Sequence, residues 1–132
     1  MSVPERYIYD VIIAGSGPAG ASAAYILTKA GKRVLVLEKA GLPRYKTCGG
    51  GITSKGLNLI PFDMTKVLER SCYSVEINDF EAGISISTKR DKPVVSMTMR
   101  SDFDYHLIKE AEKYGADIKD ETEVKELNHL EN

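Results

Sequence analysis

At 132 residues the chain is long enough for one domain with a modest core. Charged residues make up 28% of it and the net charge is −1, so the balance lacks the basic excess of a nucleic-acid binder. No apolar run approaches the roughly 18 residues of a membrane-spanning helix, and no signal-peptide pattern opens the chain, so the expected location is the cytoplasm. Cys48 and Cys72 lack C-x-x-C spacing and His106 and His129 stand far apart, so no metal is expected.

After a lead-in from Met1 to Arg6, Tyr7 to Ala14 reads as a strand. Its run Val11-Ile12-Ile13-Ala14 has the pattern of a strand buried on both faces of a parallel sheet. Gly15, Gly17 and Gly20 then form G-x-G-x-x-G. The first glycine permits the turn, the second lets backbone N–H groups approach a pyrophosphate, and the third lets the next helix lie close to the sheet. That helix runs from Pro18 to Ala30, with Pro18 in its first turn and Ala19, Ala23, Ala24, Ile26, Leu27 and Ala30 as its apolar face. Gly31 stops it, and a second buried strand, Arg33 to Leu37, ends at Glu38. A carboxylate there can accept both hydroxyls of an adenosine ribose. The plain alternative is a βαβ unit that has glycines in its turns and binds nothing.

Lys39 to Gly51 reads as a loop that ends in Gly49-Gly50-Gly51. Three adjacent glycines suit backbone that passes close to another group, and a flexible surface loop is the other reading. Thr53 can cap a short helix to about Leu59, before Pro61. Three alternating runs follow, at Tyr73 to Ile77, Ile84 to Ser87 and Val95 to Met99, and predict an antiparallel β-meander over 72–99 with one apolar face. Val95, Met97 and Met99 on that face are either core or part of the wall of a hydrocarbon cavity. Ser101 is the expected N-cap of a helix whose stripe is Phe103, Leu107, Ile108, Ala111 and Tyr114. Gly115 ends it, and Ala116 to Lys119 and Thr122 to Leu127 can each add a short strand. The fold class is therefore α/β, a Rossmann-like βαβ unit over 7–60 with a parallel sheet, then the antiparallel meander, then a return helix and strands over 101–127.

The motifs Gly15-Ser16-Gly17-Pro18-Ala19-Gly20 with Glu38, Pro43-Arg44-Tyr45-Lys46-Thr47-Cys48-Gly49-Gly50-Gly51, and Arg100-Ser101-Asp102-Phe103-Asp104 together resemble the geranylgeranyl reductase family of FAD-dependent oxidoreductases. That family lies within the wider group that includes p-hydroxybenzoate hydroxylase. The glycine fingerprint is common to FAD proteins, and the P-R-x-K-x-C-G-G element is the more specific part. Members are usually much longer and carry later Gly-Asp and Asp-Gly motifs for the flavin. Neither dipeptide occurs here, so the resemblance implies an N-terminal FAD-binding portion that is inactive alone and binds FAD weakly.

The resemblance implies roles residue by residue. Gly15, Gly17 and Gly20 would contact the pyrophosphate, Glu38 would contact the adenosine ribose, Arg44 and Arg100 would lie along the cofactor, and Pro18, Ala19 and Lys39 would also be among the cofactor-binding residues. Val124 would lie on a strand beside the adenine. Gly49 and Gly50 would pass against the flavin ring and Cys48 would stand at its reactive face, as cofactor contact and as proton donor. Read without the family, Arg44 is equally a solvated loop cation, and Cys48 equally an incidental loop cysteine. Cys72, at the head of an alternating strand, reads as a small hydrophobe.

The implied reaction is reduction of carbon–carbon double bonds in a geranylgeranyl or other polyprenyl lipid. The reductant would be NAD(P)H or a ferredoxin-type donor, and a greasy substrate implies peripheral contact with a membrane surface. A flavin monooxygenase acting on an aromatic ring, and a dinucleotide-binding module without catalysis, are the alternatives.

Overall fold

The computed structural model describes residues 9–128, which fall into two units. One contains the chain up to Arg44 and from Asp104 onward, the other Tyr45–Phe103. Tyr7 and Ile8 of the expected first strand lie outside the described residues, as does His129.

In the first unit the β-branched run after Asp10 becomes β1, Val11–Ala14, and the run after Arg33 becomes β2, Val34–Leu37. They pair in parallel, Val11 opposite Val34 through Ala14 opposite Leu37. Asp117–Lys119, β8 in chain order, joins the other side of β2, also in parallel, so the sheet order is β1-β2-β8. The central strand is the buried one: Val34, Leu35 and Val36 are all core residues. β1 lies at an edge and alternates, with Ile12 60% exposed, so the expectation of burial on both faces fails there. An unbroken apolar run fits either position, because it records composition and not the number of neighbours.

The connection between β1 and β2 is α1, Pro18–Lys29, with Pro18 in its first turn, where a missing N–H costs nothing. Its buried face is Ala21, Ala24, Tyr25 and Thr28, at helical spacing. This corrects the expected face, since Ala19 and Ile26 are exposed. Small Ala21 and Ala24 allow close packing, and Thr28 can be buried because its hydroxyl donates to the carbonyls of Ala24, at 2.7 Å, and Tyr25, at 3.0 Å.

α3, Arg100–Lys113, buries Phe103, Leu107, Ile108 and Ala111. Ser101 is its second residue and not its N-cap. The first helical bond runs from the Phe103 N–H to the Met99 carbonyl, at 2.9 Å, which puts Met99 at the cap position. Tyr114 lies past the helix end, half exposed, with its ring edge-on to Tyr25 at 5.0 Å. Thr122 to Leu127 forms no strand. Glu121 takes a positive φ of 49° and turns the chain, so Thr122 donates one N–H to the Glu38 carbonyl, at 2.8 Å, and Val124 and Leu127 stay exposed.

In the second unit, Gly51–Thr53 (β3), Arg70–Cys72 (β4) and Val95–Met97 (β7) form an antiparallel sheet ordered β3-β7-β4. Ser74–Asp79 (β5) and Ile84–Lys89 (β6) form a separate antiparallel hairpin. The runs are antiparallel as expected, but they are not one meander, because β7 pairs with β3 and β4 and not with β6. β3 and β4 are three residues each, too short to show alternation in sequence. The buried side chains at β7 are Ser96 and Thr98, whereas Val95 and Met97 are half-buried and Met99 is exposed beyond the strand. Burial of Thr98 is tolerated because its hydroxyl donates to the Val67 carbonyl at 2.5 Å. Thr53 caps a one-turn helix, α2, Ser54–Leu57, by accepting the Gly56 N–H at 3.1 Å.

Candidate cofactor site

The turn after β1 is built on two glycines. Gly15 has φ +99°, a conformation that side chains rarely allow, and its N–H reaches the Leu37 carbonyl at 2.7 Å. A Cβ on Gly20 would stand 2.0 Å from the Gly15 carbonyl oxygen, so the first turn of α1 lies directly against the loop. Gly17 is the N-cap and offers no side-chain cap, and no acidic residue occupies the first turn. The helix N-terminus therefore keeps N–H groups and dipole for an anion, with Pro18 and Ala19 as its first residues.

Glu38 follows β2 and is 4% exposed. Its Oε2 accepts the Ser16 N–H at 2.9 Å and the Ser16 hydroxyl at 2.7 Å, and its Oε1 accepts the Ala40 N–H at 3.1 Å. Oε1 has acceptor capacity beyond the Ala40 N–H, the capacity a ribose hydroxyl would use, since a carboxylate has about four acceptor sites. Burial alone would raise the pKa of this carboxyl. The donors from Ser16, Ala40 and Arg44 together outweigh it and hold the value at about 2, below the usual 4.5.

A folded-state pKa below the unfolded one gives stability that is present above about 4.5 and is lost as pH falls through about 2. Glu38→Gln is therefore expected to cost about 2–3 kcal/mol at neutral pH, with the gap from wild type shrinking in acid. Urea unfolding of both proteins at about pH 7 and about pH 3 checks this, and a gap independent of pH would contradict it.

Arg44 is half-buried, with 14% of its side chain exposed. Its Nε lies 3.3 Å from Glu38 Oε2 and its Nη2 3.2 Å from Asp104 Oδ2. Nη1 is buried without a hydrogen-bond partner among the described residues. A Cβ on Gly17 would stand 3.4 Å from Nη2, so the guanidinium lies beside the glycine turn. The loop-cation reading of Arg44 is thereby set aside. Asp104, 1% exposed, is the residue that sequence reasoning missed as a site residue. The signal was available: it precedes Leu107 by three residues and Ile108 by four, a carboxylate on the apolar face of α3.

The first unit thus brings together Gly15, Gly17, Gly20, Glu38, Arg44 and Asp104. Lys39 is exposed, and Val124 is not on a strand, which removes the expected strand beside the adenine. Arg100 opens α3, and Cys48, Gly49 and Gly50 belong to the second unit. Gly50 takes φ +70°, and a Cβ there would meet the Thr98 carbonyl oxygen at 2.2 Å, so part of the reason for the glycine run is internal. The Gly50 N–H points to Cys48 Sγ at 3.4 Å, and Cys48 is exposed. A Cβ on Gly49 would meet nothing within 4 Å, which leaves its backbone open to approach. No helix among the described residues is long and apolar enough to cross a membrane.

The close Gly15–Gly20 cradle and the unmatched Arg44 Nη1 fit a dinucleotide with phosphates at the helix N-terminus and a sugar beside Glu38. The FAD binding domain family matches residues 8–132. An uncharacterized protein of Methanosarcina barkeri is 40% identical over 90% of this chain and 30% of its own length. The geranylgeranyl diphosphate reductase of Rhodobacter capsulatus is 32% identical over 83% of this chain and 27% of its own. Among solved structures, a geranylgeranyl bacteriochlorophyll reductase-like protein from Thermoplasma acidophilum superposes with a TM-score of 0.78 at 29% identity, covering 89% of this chain and 32% of that one. The flavin-dependent brominase Bmp2 superposes at 0.67 and 27% identity, covering 84% and 29%. The chain thus spans about 30% of the length of these relatives. With a family match over residues 8–132, this chain belongs to the FAD binding domain family of FAD-dependent oxidoreductases, and its cofactor is FAD.

Proposed function

We propose that this chain is the FAD-binding portion of an enzyme that reduces carbon–carbon double bonds of a geranylgeranyl or related polyprenyl lipid. The observation that carries the reading is the Cys48-Gly49-Gly50 segment, an exposed thiol next to open backbone, held in place by the Gly50 N–H and by Gly50's own fit against Thr98. Likeness to a geranylgeranyl diphosphate reductase and to a geranylgeranyl bacteriochlorophyll reductase-like structure supports it.

When bound and reduced, FAD supplies the hydride for such a reaction. The chain's part is to hold the cofactor and provide a proton. The turn at Gly15 to Gly20 takes the pyrophosphate, Glu38 Oε1 takes a ribose hydroxyl, and Arg44 lies alongside. Cys48 Sγ gives its proton to the alkene carbon opposite hydride addition and, being exposed, regains one from water. Half-buried Val95 and Met97 and exposed Met99 offer apolar surface to a prenyl chain. A lipid of this kind brings the enzyme to the membrane surface as a peripheral protein, with NAD(P)H or a ferredoxin-type protein as reductant.

A flavin monooxygenase acting on an aromatic ring is the second reading, favoured by the architecture shared with a flavin-dependent brominase. The two separate in one experiment. Protein from the complete reading frame, with its flavin reduced by dithionite, is given a geranylgeranyl lipid, and the product is analysed by mass spectrometry. Hydrogen added across prenyl double bonds is expected. An unaltered prenyl chain, with hydroxylation of p-hydroxybenzoate in a parallel assay under air with NADPH, would replace this reading with the second.

A further inference from the structure

Arg44 is anchored at two of its three guanidinium nitrogens, Nε on Glu38 and Nη2 on Asp104, while the buried Nη1 has no hydrogen-bond partner among the described residues. The guanidinium is a rigid planar fork, so fixing two nitrogens on two separate carboxylates fixes the direction of the third. A buried donor without an acceptor is unfavourable, and native structures rarely keep one that nothing completes. Asp104 is itself fully buried on a helix face whose other members, Leu107, Ile108 and Ala111, are apolar. Packing of that face does not call for a carboxylate.

We propose that Asp104 is a positioning residue for FAD: by holding Arg44 Nη2 it aims Nη1 at an acceptor atom of the cofactor. Glu38, the carboxylate beside the ribose, holds Arg44 Nε at 3.3 Å, which sets the guanidinium next to the sugar. The acceptor is therefore an uncharged oxygen of the ribose beside Glu38, with the phosphates left to the helix N-terminus. This rests on the FAD reading of the site.

The test is a double-mutant cycle in protein from the complete reading frame, stripped of flavin and titrated with FAD by fluorescence quenching. Asp104→Asn should weaken binding about tenfold in the wild-type background and less than about twofold in an Arg44→Gln background. A purely structural role would weaken both backgrounds alike, and that result, or unchanged affinity in the first, overturns the proposal. Urea midpoints without ligand give a second readout. Asp104→Asn should lower the midpoint when Arg44 is present and lower it by less in Arg44→Gln, where the ion pair is already gone; equal losses in the two backgrounds overturn the proposal. Arg44→Lys keeps the charge without the fork and should also bind FAD about tenfold more weakly; equal affinity overturns the proposal even if Asp104→Asn does not fold. Wild-type protein that binds no FAD would overturn the cofactor reading itself, a result separate from the other outcomes.

Discussion

Cys48→Ala, made in protein from the complete reading frame, is expected to keep its FAD and to reduce prenyl double bonds about 100-fold to 10,000-fold more slowly. That range is what a positioned general acid typically contributes. An ordinary thiol, with a pKa of about 8.5, is mostly protonated at neutral pH and so has a proton to give. The flavin should stay because the residues proposed to hold it, at Gly15 to Gly20, Glu38 and Arg44, make no contact with the side chain of Cys48 in the bonds that fix them. Cys72→Ala is the control. Cys72 ends β4, is half-buried, and should lose neither flavin nor turnover when replaced. Normal reduction by Cys48→Ala would remove Cys48 from the proton transfer.

Gly20→Ala is expected to weaken FAD binding about 100-fold, or 2–3 kcal/mol, and to destabilise the fold by about 1–3 kcal/mol. The added Cβ would meet the Gly15 carbonyl oxygen at 2.0 Å and the Ile13 side chain at 3.1 Å, and neither the carbonyl nor the edge strand can move without opening the turn. Gly17→Ala isolates the ligand effect, because its Cβ would only touch Arg44 Nη2 at 3.4 Å. It should fold nearly as well as wild type while losing affinity if, as proposed, the backbone at Gly17 approaches the pyrophosphate. FAD titration and urea unfolding of the two variants check both statements. Gly20→Ala with wild-type affinity would mean that the cradle is not the phosphate site.

The parts of this account that were legible in the sequence are those encoded over a few neighbouring residues. A β-branched run, a glycine turn, a helix that starts at a proline, and an acidic residue after the next strand specify β1, α1, β2 and Glu38 almost by themselves. What escaped depends on distant partners. β7 has the same alternation as β5 and β6, yet it pairs with β3 and β4, and alternation says nothing about which edge a strand will find. Thr122 to Leu127 has the pattern of a strand, but the chain turns at Glu121 and, among the described residues, forms no strand beyond the bond from the Thr122 N–H to the Glu38 carbonyl. Arg44 and Asp104 are 60 residues apart in the chain, and nothing in the sequence pairs the loop arginine with the carboxylate on the apolar face of α3. Only the fold brings the two side chains together.

The most direct test of the central claim is the colour and titration of the protein purified from its complete reading frame. The account predicts a yellow protein with a flavin absorption spectrum whose released cofactor is FAD. After the flavin is stripped, it should rebind FAD in preference to NAD. A colourless protein that bound NAD tightly and ignored FAD would contradict it.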